Sequence, residues 1–196
     1  MYGYRNILMT KVAIIIGSSR ESSNTARFAK AIKINLEARQ ISHIRIPDAR
    51  MYDIPFLNKG SLSIKTLTPY QSEVYDSVAQ ADVVFFLSPE YNWTMSAEIL
   101  NLFHQFGSKD FSKMWEGKTF AFAGVSTGRG GKMPAIDMSR VVGKLVGFFG
   151  FKSFISPKIF ESQFTTKALD PNGSNLGNEG YDKGLDDFID YHINTI

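Results

Sequence analysis

The chain has 196 residues, about the size of one domain, and its 43% hydrophobic and 21% charged residues make a globular composition able to bury a core. Its formal charge of +3 comes from 22 basic and 19 acidic residues with no basic run or stripe, which argues against nucleic acid as a partner. It contains no cysteine, so disulfides, zinc–thiolate sites and cysteine nucleophiles are excluded.

Residues 1–8 carry no usable pattern and are read as an N-terminal extension, with Met9 an alternative start. "KVAIII" (11–16) is a continuous β-branched run, suited to a strand buried on both faces. It ends in a polar turn that opens a helix instead of a small-residue cleavage site, so it is not read as a signal peptide. No apolar run approaches the roughly 18 residues that span a bilayer. The expectation is therefore a cytoplasmic protein with no membrane partner.

Residues 23–39 place Ala26, Ala29, Ile32 and Leu36 at helical spacing, with Ser23 or Asn24 as N-cap. A short alternating strand follows at 41–46, then a loop, "DARMYDIPFLNKGS". The pattern predicts a helix at 68–81, a buried strand at 82–88 and a helix at 96–107. Further on it predicts a strand at 117–126, a helix at 133–150, a short strand at 152–157 and a last helix at 178–193. Strands alternate with helices throughout, the signature of an α/β protein with a parallel sheet covered on both faces. One domain with five strands points to a doubly wound, flavodoxin-like three-layer sandwich with strand order 2-1-3-4-5.

This topology locates a ligand before any motif is read. Sheets of this kind bind ligands outside the carboxyl ends of their strands, where the winding reverses, here between strands one and three. The loops at that place are "GSSRESSNT" (17–25) and "SPEYNWT" (88–94), with "GVSTGRGG" (124–131) beside them.

The first loop has neither the lysine of a Walker loop nor the three glycines of a dinucleotide turn. It offers Ser18, Ser19, Ser22, Ser23, Asn24 and Thr25 with Arg20 as its only cation. Hydroxyls and backbone N–H groups at a helix N-terminus, with one guanidinium, suit a phosphate monoester. Helix capping alone accounts for only one or two of them. In the second loop Tyr91 and Trp93 supply flat apolar surface, and the backbone can meet the edge of a heterocycle. Packing on the core or on a partner chain is the plain alternative for those aromatics. A phosphate at one loop and a flat ring at the next describe a mononucleotide, FMN in particular.

With "GSSRESSNTARFA", "SPEYN", Asn101 and "GVSTGRGG", the chain from about Lys11 to about Phe160 resembles the NADPH-dependent FMN reductase family of flavodoxin-like proteins, which includes quinone, chromate and azo-dye reductases. The resemblance implies an oxidoreductase that uses FMN and NAD(P)H and reduces a small acceptor such as a quinone, an azo compound or a metal oxyanion. It implies that Ser18, Arg20, Ser22 and Asn24 meet the FMN phosphate, and that Pro89, Glu90, Tyr91 and Asn92 hold the isoalloxazine and ribityl region. Ser126, with Gly128 beside it, would line the same pocket. It also implies a homodimer or a dimer of dimers. The chemistry belongs to the flavin, so no catalytic acid or base and no metal ligand is assigned. The chain departs from the family after "PEYN": Thr94, Ser96-Ala97 and Ile99-Leu100-Asn101 replace the usual residues, and His104-Gln105 stand where Asp-Trp is usual.

Two other function classes remain open at this stage. A flavin-binding carrier or sensor has the same loops, although the sequence pI near 9.0 is unlike the acidic carriers of this fold. "GVSTG" also matches the Gly-x-Ser-x-Gly nucleophile elbow, with Asp186 or Asp187 and then His192 in the order a serine hydrolase needs. Against that reading, Gly130, Gly131 and Pro134 delay the helix that should follow the serine. His43, His104 and His192 are read as surface or partly buried polar residues, and "GKT" (117–119) as the start of a strand.

Overall fold

The computed structural model describes residues 9–194. The expected N-terminal extension, residues 1–8, lies outside the described residues. Five parallel strands form one sheet in the order β2-β1-β3-β4-β5. They are β1 (Lys11–Ile16), β2 (His43–Arg45), β3 (Val83–Pro89), β4 (Thr119–Val125) and β5 (Phe154–Ser162). The helices are α1 (Asn24–Ala38), α2 (Pro69–Gln80), α3 (Ala97–Phe106), α4 (Lys132–Phe149), the one-turn α5 (Thr165–Ala168) and α6 (Glu179–Ile193). The doubly wound order anticipated from the alternation is the observed one.

Every residue of β3 and β4 is buried, which explains their unbroken apolar runs. Successive side chains alternate between the two faces. Val83, Phe85 and Leu87 meet Phe28 of α1 and Phe188 of α6, whereas Val84 and Phe86 face α2, α3 and α4. Phe86 is the centre of the second layer. It meets Phe103 edge to face at 5.0 Å and stacks on Phe120 at 5.8 Å. Such pairs add about 0.5–1.5 kcal/mol each beyond the burial itself.

One strand differs from expectation, and two further features were not read from the sequence. The last strand runs to Ser162 instead of ending at Pro157. It is an edge strand, where a missing N–H is tolerated, and its register to β4 shifts between Phe120 and Phe122, which absorbs the proline. The loop before β4 contains a 3-10 turn, Lys109–Met114, that carries Phe111 and Met114 into the core. Gly150 ends α4 in a left-handed conformation, φ +69°, which favours glycine, while a Cβ on Gly147 would meet nothing.

Because all strands are parallel, their carboxyl ends lie together. The turns after β1, β3 and β4 therefore share one end of the sheet, with the winding reversal between β1 and β3. Among the described residues no helix is long and apolar enough to cross a membrane.

Candidate functional site

The first loop is fixed to its neighbours by backbone bonds. Gly17 N donates to Leu87 O at 2.7 Å, and Ser96 Oγ donates to Gly17 O at 2.6 Å. Ser96 is also the N-cap of α3, and its own N–H reaches Ser88 Oγ at 2.9 Å. The loops after β1 and β3 are thus tied to each other. The sequence marked Ser96 only as the start of a helix; its bond to Gly17 O is tertiary.

Ser23 is the N-cap of α1, its Oγ accepting from the N–H groups of Thr25 at 3.1 Å and Ala26 at 3.3 Å. Asn24 is the first helical residue and half-buried, and Ser22 is exposed in the preceding turn. Ser18 and Thr25 differ from these. They are 2% and 1% exposed, and neither hydroxyl has a hydrogen-bond partner. A buried hydroxyl without a partner is destabilising by about 1–3 kcal/mol. Two of them flanking a helix N-terminus fit a cradle made for an anion. Arg20 reaches across the cleft, its guanidinium carbon 5.1 Å from the centre of the Tyr91 ring.

After β3 the chain folds into a two-residue hairpin. Tyr91 N donates to Thr94 O at 3.1 Å and Thr94 N to Tyr91 O at 3.2 Å. Asn92 and Trp93 form its tip with φ of +47° and +61°, the type I′ geometry that favours Asn-Gly. A tryptophan in this left-handed region costs about 1 kcal/mol or more. The hairpin is anchored on the α4 side as well, where Thr94 Oγ1 donates to Asp137 Oδ2 at 2.7 Å. No pattern in the sequence pointed to Asp137. Trp93 remains 77% exposed at the tip, and Tyr91 is about one-third exposed.

Pro89 is the last residue of β3, buried and paired with Val125. Glu90 N donates to Val125 O at 2.9 Å, and the Glu90 carboxylate accepts from Gly131 N at the start of α4. Gly130 and Gly131 make that approach with φ of +151° and +95°; a Cβ on Gly130 would lie 2.4 Å from the Glu90 carboxylate oxygen. Glu90 therefore joins the second loop to the third. Ser126 lies immediately beyond β4, half-buried, with its Oγ accepting from Gly128 N at 3.2 Å. Gly128 O accepts from Phe164 N, and Thr165 Oγ1 donates to Ser126 O at 3.1 Å. Beneath them Ser162 Oγ bonds to Tyr181 OH at 2.6 Å. Burial pushes the Tyr181 phenol up, so the pair stays neutral.

Asn101 and Gln105, one turn apart on α3, bind the loop that follows β2. Asn101 Nδ2 donates to Tyr52 OH at 2.9 Å and Pro55 O at 3.1 Å, and Gln105 Nε2 to Pro55 O at 2.7 Å and Gly60 O at 2.9 Å. Both are scaffold for the site's flank.

The hydrolase alternative is overturned. His192 is fully buried, where a surface or partly buried residue was expected, and its ring bonds to Phe188 O at 2.7 Å and Ser156 Oγ at 2.6 Å. Ser156 lies at the amino end of β5, whereas Ser126 follows the carboxyl end of β4 and meets Ser162. Six residues of strand separate the two ends, roughly 15–20 Å. The acids are committed as well, Asp186 to Arg39 at 3.0 Å and Asp187 to Lys183 at 2.6 Å.

The fold is flavodoxin-like, with the three loops that carry Ser18, Tyr91 and Ser126 gathered at one end of its sheet. The profile of the NADPH-dependent FMN reductase family matches residues 10–157, and the chain belongs to that family. It is similar to a probable NADPH:quinone oxidoreductase 2 of Oryza sativa subsp. japonica, 29% identical over 170 residues that cover 84% of this chain and 78% of the relative. Among solved structures it is similar to FerB of Paracoccus denitrificans, a flavoenzyme NAD(P)H:(acceptor) oxidoreductase, with a TM-score of 0.72 at 19% identity over 94% of this chain and 96% of the other. A WrbA-like flavodoxin of Agrobacterium tumefaciens superposes with a TM-score of 0.58 at 13% identity over 95% of this chain and 96% of that one. At those identities the structural likenesses establish the fold. Family membership makes the protein an FMN-dependent NAD(P)H oxidoreductase, with FMN and NAD(P)H as its cofactors.

Proposed function

We propose that the protein transfers reducing equivalents from NAD(P)H through FMN to a small acceptor, a quinone, an azo compound or a metal oxyanion, at the carboxyl end of the sheet. The observation that carries the placement is the pair of buried, unpartnered hydroxyls, Ser18 and Thr25, at the N-terminus of α1. A phosphate there gives both a charged acceptor, with Arg20 and Ser22 within the same loop. Pro89, Tyr91, Asn92 and the backbone of Glu90 line the adjoining wall for the isoalloxazine, and Ser126 and Gly128 close its far side. When bound, FMN supplies the two-electron chemistry; this chain's residues bind, orient and exclude water. No side chain need hold a proton in transit.

The NAD(P)H requirement fits a compartment holding that nucleotide pool, and we take it to be the cytoplasm. An apolar groove of about 550 Å³ between α3 and α4, lined by Phe103, Val141, Leu145 and the 76% exposed Phe148, supports a homodimer through this face.

The test is the visible spectrum of the protein after FMN is added and the excess removed. A retained flavin band that bleaches anaerobically with NADPH or NADH supports the assignment. A retained band that does not bleach favours a carrier, and no retained band defeats the placement.

A further inference from the structure

We propose that Trp93 is a stacking platform that selects flat, conjugated acceptors, of which naphthoquinones are the model class, over compact inorganic ones; this rests on the flavin site proposed above. Three observations carry it. Trp93 occupies the hairpin position where glycine is preferred, yet it holds φ +61° and leaves its indole 77% exposed. Folding therefore gains little from this side chain. The hairpin beneath it is held by its two backbone bonds, by Thr94 Oγ1 on Asp137, by Glu90 on Gly131 N and by the Arg20 guanidinium over Tyr91. The indole is thus carried at the tip of the same hairpin that bears Tyr91 and Asn92 of the proposed isoalloxazine wall. Chain segments that carry exposed, immobilised aromatics use them on flat partners, because a π-face binds another by offset stacking with little loss of side-chain freedom. Tyr91, next but one, is less exposed at 36% and already carries the Arg20 guanidinium over its ring.

The reaction is balanced without a further component. NAD(P)H supplies a hydride, that is two electrons and one hydrogen, and leaves as NAD(P)+; solvent supplies the one proton, and the quinone becomes the hydroquinone.

The experiment compares kcat/KM for 1,4-naphthoquinone-2-sulfonate with kcat/KM for ferricyanide, in the flavin-loaded protein with NADPH. The variant is Trp93→Gly, which suits the turn and so leaves the fold intact, with Trp93→Phe as the conservative control. The expected result is that the naphthoquinone-to-ferricyanide ratio falls about five- to tenfold in Trp93→Gly and is mostly restored in Trp93→Phe. A ratio unchanged in Trp93→Gly, whether both activities fall together or neither falls, overturns the platform while leaving the flavin site standing. An unchanged ratio with dissociation of a wild-type oligomer in sedimentation assigns Trp93 to a contact between copies. A wild type that neither retains FMN nor oxidises NADPH with ferricyanide removes the platform and the flavin site together.

Discussion

The carboxylate of Glu90 accepts a hydrogen bond from the backbone N–H of Gly131, and this contact binds the loop after β3 to the first turn of α4. Both walls of the proposed isoalloxazine slot depend on it. A charged hydrogen bond is worth about 1.5–3 kcal/mol, and its loss leaves an N–H in a turn shaped around the missing acid. Glu90→Ala is expected to weaken FMN binding about tenfold, read by fluorescence titration. Glu90→Gln keeps a carbonyl acceptor and should recover most of the affinity. Equal losses in both variants would mean that the negative charge matters and the loop tie does not.

Ser18 and Thr25 lead to a prediction with opposite signs for stability and binding. In the flavin-free protein their hydroxyls are buried and unpartnered, so removing one relieves a desolvation penalty. Ser18→Ala should leave the flavin-free protein as stable as wild type, or up to about 1 kcal/mol more stable. The same change removes a donor to a phosphate, so FMN affinity should fall about tenfold or more. Denaturation and FMN titration on the same variant check both signs. A loss of stability with unchanged affinity would show that Ser18 serves packing alone.

The sheet order was legible because buried parallel strands leave unbroken apolar runs, and β1, β3 and β4 are of that kind. The three loops were legible because hydroxyl-rich, aromatic and glycine-rich turns are each locally conspicuous. Long-range consequences were hidden. Glu90 reads as a ligand contact, while its partner Gly131 is 41 residues away. Pro157 reads as a strand stop, and only its edge position lets β5 continue. Lys118 reads only as the start of a strand, and nothing nearby reveals that its Nζ reaches Ala79 O and Ala81 O. His192 reads as a surface residue because its helix is rich in acids, and nothing in the helix reveals that Phe188 O and Ser156 Oγ wait at its inner face.

His192 makes stability pH-dependent. Burial pushes its imidazole down to about 4, with Lys158 acting in the same direction, whereas the unfolded chain keeps the ordinary value near 6.5. A carbonyl can only accept, so Nδ1 carries the proton toward Phe188 O and the neutral Nε2 accepts from Ser156 Oγ. The folded state binds fewer protons than the unfolded state between these values. The contribution is therefore fully present above pH 6.5 and is lost as pH falls toward 4, by about 3 kcal/mol in all. Denaturant midpoints measured from pH 7 to 4 should show this fall for wild type and less of it for His192→Gln. The ring carbon shifts of His192 in NMR should report a neutral imidazole at pH 6. Half-protonation of that ring near pH 6.5 would remove the prediction.

Lys118, in the "GKT" stretch that imitates a phosphate motif, has a structural task at the opposite end of the sheet. Its Nζ is buried and donates to Ala79 O at 2.7 Å and Ala81 O at 2.8 Å, the carbonyls at the end of α2. A cation there satisfies carbonyls that have no intrahelical partner and complements the helix dipole. Lys118→Met preserves most of the apolar stem but leaves both carbonyls buried and unmatched. The variant should lose about 2–3 kcal/mol, seen as a lower denaturant midpoint at unchanged slope. FMN affinity and NADPH oxidation per bound flavin should stay at wild-type values, because Lys118 precedes the amino end of β4 and the flavin loops follow carboxyl ends. A variant that kept its stability and lost FMN would place the phosphate at "GKT", and the cradle at Ser18 and Thr25 would have to be abandoned.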